Sequence, residues 1–415
     1  MSYSTKYIAL LLCVAVLLCS AVLPVSSLSY GTADRQRSTT GSGRNANNPL
    51  LRADTPEISD VNRDVLSLSA QASVLMDGNT GEALYSENAS SKLPMASTTK
   101  IMTALIALEH GNIDAEYTVP AAAVGIEGSS VYLVDGEKLT MKELVYALML
   151  ESANDAAEAI AILIAGSVPA FADMMNRRAA ELGLSGTHFT NPHGLDDPEH
   201  YTTAYDLAKL SCYALNNEDF LAVVSTRKRN ISFNSGEGIR LLVNHNRMLR
   251  SYDGAIGVKT GYTKKCGRCL VSAAERDGMR LVAVTLNAPD DWRDHTSMLD
   301  WGFASYVRLE LAAKGSYKVS LAVCGGSQDS VICSNITQVA LTLPASHGDI
   351  SCTVEAPRFL IAPFSAGQQV GRLIYRCDGE IIACVPLCAE TGAAVKQKHN
   401  FFIRWLMALF GREYQ

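Results

Sequence analysis

Residues 93–104 read Leu-Pro-Met-Ala-Ser-Thr-Thr-Lys-Ile-Met-Thr-Ala, and this stretch decides how the chain is interpreted. Apolar residues recur at helical spacing from Ile101 to Glu109, and Gly111 ends the pattern, which predicts a helix that starts close to Lys100. Ser97 and Lys100 are three residues apart. On one helical turn their side chains project from the same face, so the amine can reach the hydroxyl.

This pair has a chemical interpretation and a plain one. A serine hydroxyl is a weak nucleophile until a base takes its proton, and a lysine whose pKa is lowered by burial or by a neighbouring cation can be that base. A Ser-x-x-Lys match also arises by chance in a long chain, where it marks only a helix start at Ser97 and a solvated Lys100. The pair therefore needs partners elsewhere in the sequence.

Two further motifs follow in the order that penicillin-recognising serine enzymes require, Ser152-Ala-Asn154 and Lys259-Thr-Gly261. Ser152 can relay a proton to the leaving amine, and the Asn154 amide can hold the substrate backbone. Lys259 and the hydroxyl of residue 260 offer a cation and a donor to a terminal carboxylate. Gly261 removes the side chain that would separate this strand from the acyl group.

With these motifs and their surroundings, the chain resembles the low-molecular-mass penicillin-binding proteins that act as D-alanyl-D-alanine carboxypeptidases, peptidase family S11. The similarity extends to residues 151–157, Glu-Ser-Ala-Asn-Asp-Ala-Ala, to residues 191–197, Asn-Pro-His-Gly-Leu-Asp-Asp, and to residues 259–263, Lys-Thr-Gly-Tyr-Thr. The resemblance implies a transpeptidase-like, β-lactamase-like fold and hydrolysis of the terminal D-alanine from peptidoglycan stem peptides, with β-lactams as covalent inhibitors. It implies no metal and no cofactor.

The resemblance also assigns roles to residues. It implies that Ser97 is the nucleophile, Lys100 its base and Ser152 the proton shuttle. The backbone N–H groups of Ser97 and Tyr262 are expected to form the oxyanion hole. The groups expected to bind substrate are Asn154, Lys259, Thr260, Gly261 and Tyr262.

Two positions depart from the family pattern, His245 and Cys266. Some relatives carry arginine where His245 stands, and that arginine helps to hold the substrate carboxylate, so either His245 or Arg247 is a candidate for this task here. Cys266 stands where relatives more often have alanine. Cys266 and Cys269 could suggest a metal or redox pair, but no second ligand pair at zinc-site spacing is apparent, and we interpret both as small buried strand residues.

The surrounding patterns predict an α+β domain over residues 61–310. Stretches that read as strands lie at both ends of this region, from Ala72 to Asp77 and from Met279 to Leu286, and imply one antiparallel sheet. Helical patterns occupy the middle and should cover that sheet.

Residues 315–392 change to short alternating stretches separated by turn residues, which predicts a small all-β domain, a sandwich. The turn Asp378-Gly379 predicts that Cys377 lies opposite Glu380 and that Cys384 lies opposite Leu373, so that these two cysteines are not cross-strand partners. Residues 394–415 form a short tail with lysines before an aromatic apolar run, typical of a helix lying in a membrane interface. A helix docked on the β domain is the alternative.

Residues 1–28 resemble a secretory signal, because Lys6 precedes an apolar run that is followed by Pro24 and small residues. An uncleaved membrane anchor is the alternative, and either form predicts export to the outer face of the cytoplasmic membrane or the extracytoplasmic space. Residues 29–60 read as a flexible linker. Of eleven cysteines, Cys13 and Cys19 fall in the signal, and the remaining odd number cannot all pair within one chain.

Composition and motifs narrow the classes of function. With 36 basic against 42 acidic residues, the net charge of -6 leaves no basic surface of the kind that nucleic acids need. A serine β-lactamase shares the three motifs but adds a glutamate for deacylation, which we do not identify here. A non-catalytic β-lactam sensor would have lost part of the intact polar set, and D,D-endopeptidase action on cross-links remains open as a secondary activity.

Overall fold

The computed structural model describes residues 60–233 and 238–396. The predicted signal, nearly all of the predicted linker and most of the predicted tail therefore lie outside the described residues. Within the described ranges no single helix is long and apolar enough to cross a membrane, although one sharply bent pair of helices, Asn154–Ala165 with Val168–Glu181, passes that test of length and composition.

A five-stranded antiparallel sheet forms the centre of the first region, as the sequence predicted. Its strand order is β2-β1-β9-β8-β7, so the N-terminal hairpin pairs directly with strands that come long after it in the chain. The central strands β1 and β9 are buried except at the half-buried Arg280, because helices cover both faces, and they accordingly read as mainly apolar runs rather than alternating ones. The strands are β1 (Ala72–Asp77), β2 (Ala83–Glu87), β7 (Ala255–Thr263), β8 (Gly267–Arg276) and β9 (Met279–Leu286).

Helices fill the sequence between these strands and bury a large apolar core against the sheet. Their ends carry the expected caps: Thr140 and Glu143 form a capping box, and Thr203 and Asn217 each accept a backbone N–H of the helix that follows. The helices are α1 (Lys100–His110), α2 (Met141–Leu150), α3 (Asn154–Ala165), α4 (Val168–Glu181), α5 (Ala204–Ala214), α6 (Glu218–Ser225), α7 (Met248–Ser251) and α8 (Asp291–Ser305).

Two small two-stranded sheets that the sequence did not reveal lie beside the helices. Strands β3 (Glu116–Thr118) and β4 (Lys138–Thr140) pair with each other, as do β5 (Lys228–Phe233) and β6 (Gly238–Val243). The second pair is mostly solvent-exposed, so its burial pattern lacks the continuous apolar signal of the central strands.

The second region is all β. It holds a six-stranded sheet in the order β14-β16-β17-β12-β11-β15 and a two-stranded sheet, β10-β13. β10 begins at Tyr306, runs across the predicted boundary at residue 310 and pairs with β13. Val395 pairs with Gly326, so pairing continues past residue 394, where the tail was predicted to begin. The strands are β10 (Tyr306–Ala312), β11 (Lys318–Cys324), β12 (Ser330–Asn335), β13 (Val339–Pro344), β14 (Ile350–Glu355), β15 (Phe359–Ile361), β16 (Gln369–Cys377) and β17 (Glu380–Ala389).

The register of the β16–β17 hairpin corrects one detail of the sequence analysis. Cys377 lies opposite Glu380, as predicted, but Cys384 lies opposite Ile374 and not opposite Leu373. The cause is a bulge between Tyr375 and Arg376, which adds one residue to a strand and shifts every later pair. Cys377 and Cys384 are both free thiols.

Candidate active site

Ser97 lies on a 3-10 turn, Ala96–Thr99, that leads directly into α1. Ala96 has a left-handed backbone with φ of 45°, an uncommon conformation for a residue with a side chain. Gly194 packs against this turn so closely that a Cβ there would lie 1.9 Å from the Ala96 carbonyl oxygen. Only glycine fits at residue 194, which explains part of the Asn-Pro-His-Gly stretch: it closes over the turn that carries Ser97.

Lys100 is fully buried, yet its amine has three hydrogen-bonding partners from distant parts of the chain. Its Nζ lies 2.9 Å from Ser97 Oγ, 2.7 Å from Asn154 Oδ1 and 2.7 Å from the His193 carbonyl oxygen. Burial and, to a lesser extent, the nearby Lys259 cation lower the pKa of Lys100 well below its usual value, against a smaller opposing effect of Asp155. This amine is therefore suited to accept a proton from the Ser97 hydroxyl.

Ser152 lies in the short break between α2 and α3, and Asn154 is the first residue of α3. Ser152 is buried and has a φ of 59°, and within the described residues its hydroxyl forms no hydrogen bond. The Asn154 amide is held at both ends, since its oxygen accepts from Lys100 and its nitrogen donates to the Glu127 carbonyl at 2.5 Å. One amide hydrogen of Asn154 remains for the predicted contact with substrate.

The β7 strand forms one edge of the large sheet and passes directly beside the Ser97 turn. A Cβ at Gly261 would lie 3.1 Å from the Ser97 backbone nitrogen, so the glycine allows strand and turn to approach closely. Thr260 is half-buried and Tyr262 is 66% exposed. The structure thus brings residues 259–262 next to the nucleophile candidate.

Lys259 is a second buried amine beside the first. Its Nζ donates to the carbonyl oxygen of Thr260 at 3.0 Å, and burial lowers its pKa to about 7. Each protonated amine disfavours protonation of the other because like charges repel at short range. A carboxylate placed between them would be attracted by Lys259 and would favour its charged form.

Two histidines support the site in ways that the sequence analysis missed. His200 is buried, and its Nδ1 accepts the Thr190 backbone N–H at 3.0 Å, which leaves Nε2 to donate to Thr99 Oγ1 at 2.7 Å. Thr99 in turn donates to the Ala96 carbonyl at 2.8 Å. Burial lowers the pKa of His200 to about 4, so the ring is neutral near pH 7 and keeps this donor arrangement.

His193, the second of these histidines, accepts a hydrogen bond from the Lys100 amine with its backbone carbonyl. Its Nε2 lies 3.6 Å from Glu158 Oε2, but burial and the nearby Lys100 lower the pKa of His193 to about 3. The contact is therefore not an ion pair near neutral pH. The sequence Asn191-Pro-His-Gly predicts a tight turn, but it does not indicate which group the His193 carbonyl contacts.

Asp155 ties a neighbouring loop to the site. Its side chain is fully buried and accepts hydrogen bonds from the Ser130 hydroxyl at 2.6 Å and from the Leu133 backbone at 3.0 Å. The backbone of Asn154 donates to Ser129 of the same loop at 2.7 Å. The loop therefore fixes the start of α3 and, with it, the amide that faces Lys100.

The two candidates for an additional carboxylate contact have other partners in this structure. His245 Nε2 lies 3.1 Å from Glu151 Oε2, and Glu151 Oε1 also accepts the Val243 backbone N–H. The Arg247 guanidinium lies 5.7 Å from the centre of the Trp292 ring. Glu151 thereby anchors strand β6 next to Ser152.

Family models match both regions of the chain. Residues 59–290 match the model described as D-alanyl-D-alanine carboxypeptidase, Peptidase S11. Residues 306–393 match the model of the penicillin-binding protein 5 C-terminal domain. The two matches together cover most of the described residues.

Individual relatives point to the same family as these models. A D-alanyl-D-alanine carboxypeptidase of Bacillus subtilis, DacF, is 33% identical over 335 residues, covering 78% of this chain and 86% of the relative. The crystal structures of penicillin binding protein 5 from Haemophilus influenzae align with a TM-score of 0.68 at 29% identity, covering 79% of this chain and 98% of that one. The Streptomyces K15 DD-transpeptidase aligns with a TM-score of 0.55 at 34% identity, covering 59% of this chain and all of that one.

Proposed function

The chain belongs to the D-alanyl-D-alanine carboxypeptidase family, peptidase S11, and on this premise we propose that Ser97, Lys100 and Ser152 carry out its reaction. The protein is a serine D,D-carboxypeptidase of peptidoglycan metabolism. Its substrate class is the stem peptide that ends in D-Ala-D-Ala, and it binds β-lactams, which mimic that terminus.

In the proposed acylation step, Ser97 Oγ attacks the carbonyl carbon of the penultimate D-alanine. Neutral Lys100 takes the hydroxyl proton as the C–O bond forms, and the backbone N–H groups of Ser97 and Tyr262 stabilise the oxyanion. When the C–N bond breaks, Ser152 gives its hydroxyl proton to the departing amine and takes the proton held by Lys100, so Lys100 is neutral again. Free D-alanine leaves, and the rest of the peptide remains as an ester on Ser97.

In the deacylation step, a water molecule attacks that ester. Lys100 takes a proton from the water and returns it to Ser97, which releases a peptide shorter by one residue and the free enzyme. Asn154 holds Lys100 in place through both steps by the hydrogen bond to its amine.

Recognition of the chain terminus is assigned to β7. Lys259 and the Thr260 hydroxyl bind the free carboxylate of the terminal D-alanine, which a cross-linked residue does not offer. Charge-assisted hydrogen bonds of this kind contribute about 1.5–3 kcal/mol each. Gly261 leaves room for the acyl group beside Ser97.

One observation carries the proposal: the Lys100 amine is fully buried, has a strongly lowered pKa and lies 2.9 Å from Ser97 Oγ. A lysine that served only as a solvated surface group would be charged and exposed. A serine of ordinary reactivity would have no such base within reach.

For the remaining parts of the chain, we infer export by residues 1–28, a linker at residues 29–60, a catalytic domain followed by a C-terminal β domain, and attachment to the outer face of the cytoplasmic membrane by the C-terminal tail. The composition of the tail supports the attachment, since lysines precede its aromatic apolar run. Removing residues 397–415 should release the protein from membranes and leave D-alanine release unchanged. A cut at Ala389 would also remove the pairing of Val395 with Gly326, so Lys396 is the better end point.

The main test is mass spectrometry of the purified protein after exposure to penicillin and, separately, D-alanine release from a pentapeptide ending in D-Ala-D-Ala. We expect a penicilloyl adduct on Ser97, and no adduct and no released D-alanine for Ser97→Ala. Ser351→Ala, an exposed serine in the β region, is the matched control and should behave as wild type. An adduct on Ser152 would overturn the assignment of roles.

A further inference from the structure

Two thiols lie close together in the turn that follows the active-site strand. Cys266 precedes β8 and Cys269 lies within it, and their sulfur atoms are 3.1 Å apart. Both side chains are buried, with exposures of 2% and 0%. A disulfide bond is about 2.05 Å long, so a shift of roughly 1 Å would bring the two sulfurs to bonding distance.

These thiols also contact the segment that carries the nucleophile. The Cys266 thiol donates to the Pro94 carbonyl oxygen at 3.2 Å, and Pro94 is three residues before Ser97. Cys269 lies opposite Gly261 in the β7–β8 register. The pair therefore lies between the strand and the turn whose close approach forms the site.

Hydrogen bonds fix the backbone at Cys266, whereas the two residues before it are exposed to solvent. The Cys266 N–H donates to Thr263 Oγ1 at 3.0 Å, and Thr263 donates to Asp196 at 2.8 Å. Lys264 and Lys265, the two residues before Cys266, are exposed. Because Cys266 itself is buried, a small reagent reaches its sulfur only if this exposed turn opens.

No other pair of thiols is in hydrogen-bond contact within residues 60–233 and 238–396, although nine cysteines there are free. The hydrogen bond to Cys269 and burial raise the pKa of the Cys266 thiol, as burial raises the pKa of the buried Cys212, so only a small fraction of either is thiolate near neutral pH. The sequence alone favoured packing as the role of residues 266 and 269. Their sulfur–sulfur contact and the bond to Pro94 go beyond what packing requires.

We propose that Cys266 and Cys269 form a modification site. The two thiols are oxidised to an intramolecular disulfide by exchange with a small organic disulfide such as oxidised glutathione. The thiolate of Cys266 attacks one sulfur of the reagent, which releases one thiol and leaves a mixed disulfide. The thiolate of Cys269 then displaces the second thiol. The protein loses two hydrogens and is oxidised, and the reagent is reduced to two thiols.

Closure changes the active site because it consumes the S–H donor that binds the Pro94 carbonyl. The turn before Ser97 loses that hydrogen bond, and the strand carrying Gly261 gains a covalent constraint three residues beyond its end. We expect acylation of Ser97 to slow by about three- to tenfold, the equivalent of one hydrogen bond. Because both thiols are buried, exchange should be slower than for an exposed cysteine such as Cys384.

The test uses the full chain, incubated with oxidised glutathione or with dithiothreitol, and has two readouts. Peptide mass spectrometry should find residues 266–269 lighter by two hydrogens in the oxidised sample. Stopped-flow acylation by a fluorescent penicillin should be slower for that sample and recover after dithiothreitol. Cys269→Ala should show neither the mass change nor the thiol-dependent rate, whereas Cys384→Ala should show both.

The mass readout does not depend on the proposed function, and the rate readout rests on it, so the two can fail separately. Only glutathione adducts, or unmodified thiols after prolonged incubation, would overturn the disulfide. A disulfide with an unchanged acylation rate would overturn its effect on the site. If the reduced wild type is not acylated at all, the assignment of Ser97 fails instead.

Discussion

The two regions of this protein bury very different side chains. In the first region, fully or nearly fully buried groups include the amines of Lys100 and Lys259, the Asp155 carboxylate and the His200 ring. In the described part of the second region, the buried polar residues are Ser334 and Asn335. Burial of ionisable groups costs free energy, so their concentration in one region marks the place where stability is given up for chemistry.

The backbones differ in the same way. In the first region, left-handed φ values occur at Ala96 and Ser152, within or beside two of the three motifs. In the second region, the described non-glycine residue with such a φ is Asp378, in an ordinary hairpin turn. Five other non-glycine residues of the first region, among them Asn88 and Asp277, also have a positive φ and lie outside the motifs, so only Ala96 and Ser152 combine this conformation with a place beside the buried amines.

The strongest test of this difference between the regions is Lys100→Met, which removes the buried amine and keeps most of the side-chain volume. Without a base beside Ser97, we expect the rate of penicillin acylation to fall by about 10²–10⁴-fold. Stopped-flow measurement with a fluorescent penicillin checks this. Lys318→Met, at a mostly exposed lysine of the second region, is the matched control and should acylate normally. Near-normal acylation of the Lys100 variant would mean that another group activates the serine.

A smaller effect is expected for Lys259→Met. The loss of one charge-assisted contact to the substrate carboxylate should lower kcat/KM for a D-Ala-D-Ala peptide by about one to two powers of ten. The wild type should discriminate strongly against the same peptide amidated at its C-terminus, and the variant should lose most of that discrimination. If the variant discriminates as well as wild type, the carboxylate binds elsewhere, and His245 and Arg247 become the candidates to replace next.

Lys259 should also leave a mark on stability. Its folded-state pKa of about 7 lies below the usual 10.5, so between these values the unfolded chain binds more protons than the folded one. The free energy of unfolding should therefore rise with pH in this window, by at most about 1.4 kcal/mol per pH unit for this residue. Urea unfolding between pH 7 and pH 10 should show a shallower rise for Lys259→Met than for Lys318→Met. Equal slopes would argue that Lys259 is charged in the folded protein at pH 7 to 10.

The smallest effect concerns the buried His200, which contacts the Ser97 turn through Thr99. His200→Phe keeps a ring beside Phe189 but removes both hydrogen bonds, and we expect the acylation rate to fall by less than tenfold, about the contribution of one or two hydrogen bonds. His200→Gln, which can still donate to Thr99, should recover much of the rate. Noncovalent penicillin affinity should change little, and a loss confined to affinity would contradict a positioning role.

Much of the first region could be predicted because its signals are local. Ser97 and Lys100 are one helical turn apart, and the long apolar runs of β1 and β9 leave few alternatives to a central sheet. The three motifs then indicate which distant segments must meet. Hydrophobic periodicity and motif order, however, do not specify atomic contacts.

The parts that escaped prediction depend on such contacts. Nothing in the spacing indicates that the Asn154 oxygen faces Lys100, that the carbonyl of His193 is the third partner of the amine, or that His200 reaches Thr99 across about one hundred residues. The bulge at Tyr375 shifted a predicted register because the two-residue turn from which the register was predicted does not specify where an extra residue enters the pair. Long-range hydrogen bonds and β-bulges depend on how the whole domain packs, which local sequence patterns do not encode.

The order of strands in the large sheet determines when the active site can form during synthesis of the chain. β1 pairs with β9, and the Ser97 turn packs against β7. Neither contact can form until the ribosome has synthesised these late strands. An isolated hairpin such as β1–β2 is marginal in water, and distant strand pairing is slow to form. We expect a nascent chain that ends before residue 286 to have neither a completed sheet nor a reactive serine. Antibiotics of the penicillin class would then find their target only in finished molecules.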